Sequence, residues 1–222
     1  VGSEMCIRDR SATLSGGAVI AGDGTVATPL TVDGTLADVN ATLASLTYTG
    51  DPDFVGGDTI NVLVDDLGAT GTGGPLTAVT TVSITVDPVN DAPVLALPGP
   101  LNVTEEVAGV IGGITVSDPD VGAGNVEVTL TVTNGTLTAT GPAAVANPGT
   151  ASIMVTGTVA DVNTTRTALR YTGDPDFAGA DSLSVLVSDL GNTGTPGPLT
   201  DVGAVGITVN PVNDAPTVVG PA

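Results

Sequence analysis

The chain has 222 residues, with 24 acidic side chains against four arginines, no lysine and no histidine, for a formal net charge of −20. Four aromatic residues, one cysteine and no tryptophan leave no raw material for zinc sites, disulfide frameworks, histidine-based catalysis or base-stacking platforms, and the charge repels nucleic acid and anionic lipid. An enzyme or a nucleic-acid binder is not expected, and the longest apolar run, Val107 to Val116, is too short to span a bilayer, so direct membrane insertion is not expected either.

Taken in chain order, residues 1–10, VGSEMCIRDR, hold the only cysteine and two of the four arginines. They resemble a translated sequencing-adapter peptide and are read as a non-native leader, outside the fold. Leu36, Val39, Leu43 and Leu46 then fall at helical spacing, and Thr35 stands three residues before Asp38 as in a capping box, so one short helix is expected here. Tyr48 and Phe54 follow, read as core anchors, with the Asp51-Pro52-Asp53 turn between them. Of the acids, 20 are Asp and four are Glu, which favours turns and oxygen-rich sites in loops.

Sliding the chain on itself by 123 residues exposes a duplication: from Ala37 to Leu95, 39 of 59 positions are identical to their partners, without a gap. The first copy, 11–93, is therefore expected to be a truncated repeat, 94–216 a complete one, and 217–222 the start of a further one, the whole a slice of a longer array.

In the complete copy, strands are expected at Leu101 to Thr104, Val110 to Val116, Val126 to Val132, Ala151 to Val155, Thr167 to Thr172, Leu183 to Val187 and Val202 to Val209, from period-two alternation. Asn134-Gly135 carries the residues of a tight hairpin turn. Arg166 replaces Leu43 of the first copy and is expected to snorkel over the sandwich edge. About seven short strands separated by turns predict an all-β chain of tandem β-sandwich domains, with one short helix per repeat.

Three stretches carry a family resemblance. VTEEVAGVIGGITVSDPD, Val103 to Asp120, resembles the opening of a cadherin domain, VSDLGNTGTPGPLTDVGAVGITV, Val187 to Val209, its closing hairpin, and VNDAP, at Val89 to Pro93 and Val212 to Pro216, its calcium linker. The complete copy thus resembles the cadherin-like repeats of large bacterial surface adhesins, departing from the animal linker at Pro88 and Pro211 and in lacking a second Asn before Ala-Pro. The resemblance implies tandem cadherin/Ig-like sandwiches and calcium between them. One junction would gather Asp51, Asp53, Asn90, Asp91, Asp118, Asp120 and Asp189, and a weaker one Glu105, Asp174, Asp176, Asn213 and Asp214; Asp66 takes the place of Asp189 in the first copy. Calcium takes six to eight oxygen ligands, which carboxylates converging from loops supply.

The function implied is a calcium-stiffened extender of a bacterial cell-surface or secreted adhesin, mediating adhesion by projecting a distal binding region. Its partners would be neighbouring repeats, with host or cell-surface glycan or protein engaged through other regions. The alternative is a ligand-binding module for a glycan or a like protein, which would show exposed aromatic or arginine anchors. The acidic turns also have plain readings, as solvated loops or as adaptation to high salt.

Overall fold

The computed structural model describes residues 2–6, 10–13, 18–21, 29–68 and 71–215, and the chain divides into two compact units, 1–88 and 89–222. In the second unit the strands are β8 (Val94–Ala96), β9 (Leu101–Thr104), β10 (Gly109–Val110), β11 (Thr115–Ser117), β12 (Asn125–Thr131), β13 (Gly135–Thr138), β14 (Ala144–Ala146), β15 (Ser152–Thr158), β16 (Arg170–Gly173), β17 (Gly179–Ser188) and β18 (Thr200–Asn210). A six-stranded sheet in the order β14-β15-β12-β17-β18-β9 and a three-stranded sheet β10-β16-β13 share one core, and β8 pairs with β11. The sheet pairs are antiparallel except β18 with β9, where Ile207 stands beside Leu101 and Val209 beside Val103 in parallel.

Alternation explains this packing. Val126, Val128 and Leu130 of β12, Ile153 and Val155 of β15, and Leu183, Val185 and Val187 of β17 point inward and are buried, meeting Leu137 of β13 and Tyr171 of β16 from the other sheet. Each such side chain contributes about 1.5–3 kcal/mol on burial. The all-β expectation therefore holds, with a sandwich core in this unit.

Helix α2 (Val159–Thr165) covers one side, its N-cap Thr158 accepting from the backbone of Asp161 and its buried face made by Val162 and Thr165.

Local readings change in four places. The single strand expected over Val110 to Val116 is broken: Ile111 and Ile114 are both buried, three residues apart, which an unbroken strand would put on opposite faces. Gly113, at φ +82°, lets the chain swing between β10 and β11. Asn134-Gly135 is not a hairpin turn, since neither residue has positive φ and the segment crosses from one sheet to the other. Gly135 is required there by space, because a Cβ would stand 2.5 Å from the Thr172 carbonyl oxygen. Thr167 lies in a 3-10 turn, Arg166–Ala168, before β16 begins. Arg166 is buried rather than snorkelling: its guanidinium donates to Asn163 Oδ1, and Asn163 is itself anchored to the Val116 backbone at both amide atoms.

The first unit comprises β1 (Gly2–Cys6), β2 (Arg10–Ser11), β3 (Val19–Ala21), β4 (Leu30–Asp33), α1 (Leu36–Leu43), β5 (Thr47–Tyr48), β6 (Gly56–Asp65) and β7 (Thr77–Val86). Its main sheet runs β3-β4-β1-β6-β7, and β2 pairs with β5. The expected helix is present. Thr35 caps it by accepting from the Asp38 backbone, while its hydroxyl donates to the Asp38 carboxylate. The buried face is Val39 and Thr42, with Leu43 and Leu46 partly covered; Leu36, in the first turn, is exposed. The leader read as outside the fold supplies β1, which lies between β4 and β6 as β12 lies between β15 and β17. Among the described side chains, the unit's buried residues include Ile60, packed with Leu43, Leu46, Val62 and Ile84; Ala18, Val32 and Val39, packed with Ile20; and Leu30.

Candidate functional site

The site is built around the segment that opens the second unit. Asn90 is buried, its backbone N–H donating to the Thr195 carbonyl, and its side-chain amide donates to Asp189 Oδ2 at 2.6 Å and to the Gly197 carbonyl at 3.2 Å. Asp189 follows the last residue of β17, also buried, and its other oxygen accepts from the N–H groups of Gly191 and Leu199, both at 2.8 Å. One carboxylate thus closes the β17–β18 loop and grips the incoming chain.

A second arm comes from the turn after β11. Asp118 Oδ1 accepts from the N–H groups of Asp120 and Val121, an Asx turn made by Asp-Pro-Asp itself. Asp120 Oδ2 accepts from the Asp91 N–H at 3.1 Å, and the Asp120 carbonyl accepts from the Thr193 hydroxyl. Asp118 and Asp120 also meet side chain to side chain: burial first, then this neighbour, raises the Asp118 carboxyl. Burial pushes Asp120 the same way, but the neighbouring Asp118 carboxyl, the Asp91 N–H and Thr193 outweigh it and hold Asp120 below its ordinary value.

Asp189, Asn90, Asp91, Asp120 and Asp118 are therefore linked through adjoining residues and direct bonds. Three of their oxygens, Asn90 Oδ1, Asp118 Oδ2 and Asp120 Oδ1, are buried without a hydrogen-bond partner. A buried unsatisfied acceptor costs about 1–3 kcal/mol, more when charged. As placed, no group of three or more His, Cys, Asp or Glu side chains among the described residues forms a metal shell. The chemistry of the donor set, all hard oxygens with several carboxylates and unused lone pairs, nonetheless suits calcium.

No family model matches the chain, and no curated protein matches it. Among solved structures it is similar to the extracellular cadherin domains 1–5 of protocadherin gamma B2, at 17% identity and a TM-score of 0.43 over 93% of this chain and 34% of that one. It is also similar to the protocadherin gamma B7 EC3–6 cis-dimer structure, at 17% identity and a TM-score of 0.42 over 93% of this chain and 41% of that one. A third is mouse cadherin-23 EC22–24, at 18% identity and a TM-score of 0.38 over 92% of this chain and 53% of that one. The chain thus spans about a third of the length of the first of these and about half of the last.

The remaining candidates are placed less closely. Glu105 is buried at the end of β9, with Oε1 accepting from the Val212 N–H at 2.5 Å and Oε2 without a partner. Asn213 and Asp214 are exposed just beyond it in sequence. Asp174 and Asp176 are exposed on a turn closed by Phe177 N–H to the Asp174 carbonyl, with Asp176 at φ 59°. In the first unit, Asp51 and Asp53 are exposed on the matching turn, closed by Phe54 N–H to the Asp51 carbonyl, and Asp53 again has φ 59°. Asp66 repeats the loop-closing half of Asp189: Oδ1 accepts from Gly68 and Leu76, bonds that hold its carboxyl below the usual range, that from Leu76 contributing most. No described helix is long and apolar enough to cross a membrane.

Sequence reasoning missed Asp181. It occupies an inward position of β17, in phase with Leu183, Val185 and Val187, and accepts from the N–H groups of Thr133 (3.2 Å), Asn134 (2.9 Å) and Ser182 (2.8 Å) and from the Tyr171 hydroxyl (2.9 Å). Burial works to raise its carboxyl, but these donors prevail and lower it. Tyr171 is raised in turn, by burial and then by Asp181. The signal was available, since an acid in the buried phase of a strand needs partners. Tyr171 is thus a core anchor as expected, and Phe177 packs partly against that core, whereas Phe54 is more exposed.

Proposed function

We propose that the chain is a non-enzymatic, calcium-stiffened extender of a bacterial cell-surface or secreted adhesin, its sandwich units joined in series to project a distal binding region. The observation that carries this reading is the trio of buried, unpartnered oxygens on Asn90, Asp118 and Asp120, tied by hydrogen bonds to Asp91 and Asp189 at the start of the second unit. An ion of high oxygen coordination uses such lone pairs and offsets the mutual repulsion of the carboxylates. Asp51 and Asp53 of the first unit complete the proposed ligand set. Glu105, Asp174, Asp176, Asn213 and Asp214 form the corresponding second set, and Asp66 the counterpart of Asp189. Neighbouring repeats are the proposed partners, and the setting extracellular.

Each of the residues around Asn90 has a part. Asp189 and Asn90 fix the linker to the β17–β18 loop; Asp118 and Asp120 present carboxylates from a turn that Pro119 and the Asx bonds keep short. Calcium, when bound, supplies the positive charge that lets these groups stay ionised together.

At extracellular affinities of roughly 10⁻⁴ to 10⁻³ M, 1 mM calcium stabilises each site by about 0.4–1.4 kcal/mol. Thermal melts with calcium and with chelator test this, with magnesium as control. Calcium is expected to raise the melting point, and Asp118→Asn to abolish the rise without lowering the melting point in chelator. A melting point indifferent to calcium removes the metal from this account.

A further inference from the structure

The two units present the same strand in different company. In the second unit β18 is flanked by β17 on one side and β9 on the other, Ile207, Thr208, Val209 and Asn210 standing beside Leu101, Asn102, Val103 and Thr104. The repeat carries Ile207, Thr208 and Val209 onto Ile84, Thr85 and Val86 of β7 without change. Yet β7 is the last strand of its sheet, paired with β6 alone among the described residues. Its ten residues contain no charge and no proline, and those from Thr77 to Ser83 are all exposed. Val82 is 48% exposed, where its counterpart Val205 is 2% exposed.

A long, uncharged edge strand is a template for another strand, and natural sheets usually protect such edges by charge, proline or cover. Here the cover that suits this edge is visible in the same chain. We infer that the free edge of β7 is a docking site for an extended peptide segment of the Leu-x-Val type, entering parallel to β7 with its leucine beside Ile84 and its valine beside Val86. The incoming backbone takes up the unpaired amides and carbonyls of β7, and its alternate apolar side chains shield Ile84 and Val86 as Leu101 and Val103 shield Ile207 and Val209. One contact does not carry over. The Asn210 side-chain amide donates to the Val103 carbonyl at 3.1 Å, and Asp87 at the equivalent place has no proton to give. The docked segment therefore ends one anchor short. This site does not involve the calcium ligands, so it stands or falls apart from the metal reading.

The test is amide hydrogen exchange on the intact chain, read by NMR with a capped, uncharged peptide of the sequence Pro98 to Thr104. Ordering a short strand leaves affinity in about the millimolar range. Saturable slowing of exchange is expected at Thr85, at least about tenfold near saturation, because its counterpart Thr208 shares the edge-facing phase of Asn210, whose carbonyl accepts from the Glu105 N–H of the strand that covers β18. A peptide with Leu101→Asp and Val103→Asp is expected to do nothing, and the protein variant Asp87→Asn to bind the parent peptide several-fold tighter. Because the first control alters the peptide, misfolding of the protein cannot imitate its result. No protection of β7, equal protection by both peptides, no gain from Asp87→Asn, or self-association of the chain through β7 in place of peptide binding would each overturn the inference.

Discussion

Replacing Asp181 by Asn tests whether a buried carboxylate organises the second sandwich. Asp181 accepts from three backbone N–H groups and the Tyr171 hydroxyl, and the Thr133 and Asn134 donors lie on the crossover between the sheets. Hydrogen bonds to a charged group contribute about 1.5–3 kcal/mol each, and Asn retains one acceptor while turning an NH₂ toward groups that also donate. The net loss should be about 3 kcal/mol at pH 7. Because the folded carboxyl is held below its ordinary 3.8, its contribution is fully present above that value and fades as pH falls through the lowered one. Urea unfolding of both proteins at pH 7 and near pH 3 therefore has two readouts, the gap at neutral pH and its narrowing in acid. Other carboxylates titrate in both proteins and largely cancel from the difference. A gap under about 0.5 kcal/mol at pH 7, the size of an ordinary surface change, or one that stays constant into acid, would refute the argument.

Two further substitutions follow from packing. Gly135→Ala places a methyl group against the Thr172 carbonyl and the Tyr171 ring and should cost about 1–3 kcal/mol in urea unfolding, whereas Gly112→Ala, with nothing within 4 Å, should be neutral or slightly stabilising. Val205→Ala should cost about 1.5–3 kcal/mol, and the equivalent Val82→Ala in the first unit under about 0.5 kcal/mol, read separately in each unit by hydrogen exchange.

Where neighbours along the chain decide the outcome, the sequence was informative. Period-two alternation located β12, β15, β17 and β18, and Thr35 with Asp38 marked the start of α1, because each signal acts within a few residues. Asn90, Asp118, Asp120 and Asp189 came together as a set only through the cadherin resemblance, which the Asp-Pro-Asp turn, the closing hairpin and the VNDAP linker carry. Partnership across the fold was not legible. Asp181 looked like one more acid in a chain whose charge was assigned to loops, yet the Thr133 and Asn134 amides it binds lie 48 and 47 residues away. Asn134-Gly135 satisfied a local turn rule, but the Asn134 carbonyl accepts from the Tyr171 hydroxyl at 2.7 Å and the Asp174 N–H at 3.1 Å, and these tie the segment to the opposite sheet. Arg166 offered an apolar stem and a charge; its burial depends on an Asn163 already committed to β11.

The parallel alignment of β9 and β18 bears on what happens under tension. These strands lie near the two ends of the second unit, side by side and pointing the same way. Pulling the chain from both directions drags one strand lengthwise past the other, so the ladder is loaded in shear, with its bonds sharing the force instead of parting one after another from an end. Resistance to rupture is a matter of unfolding rate under load rather than equilibrium stability alone. A unit loaded through both of its ends would meet that load along this ladder, not across it.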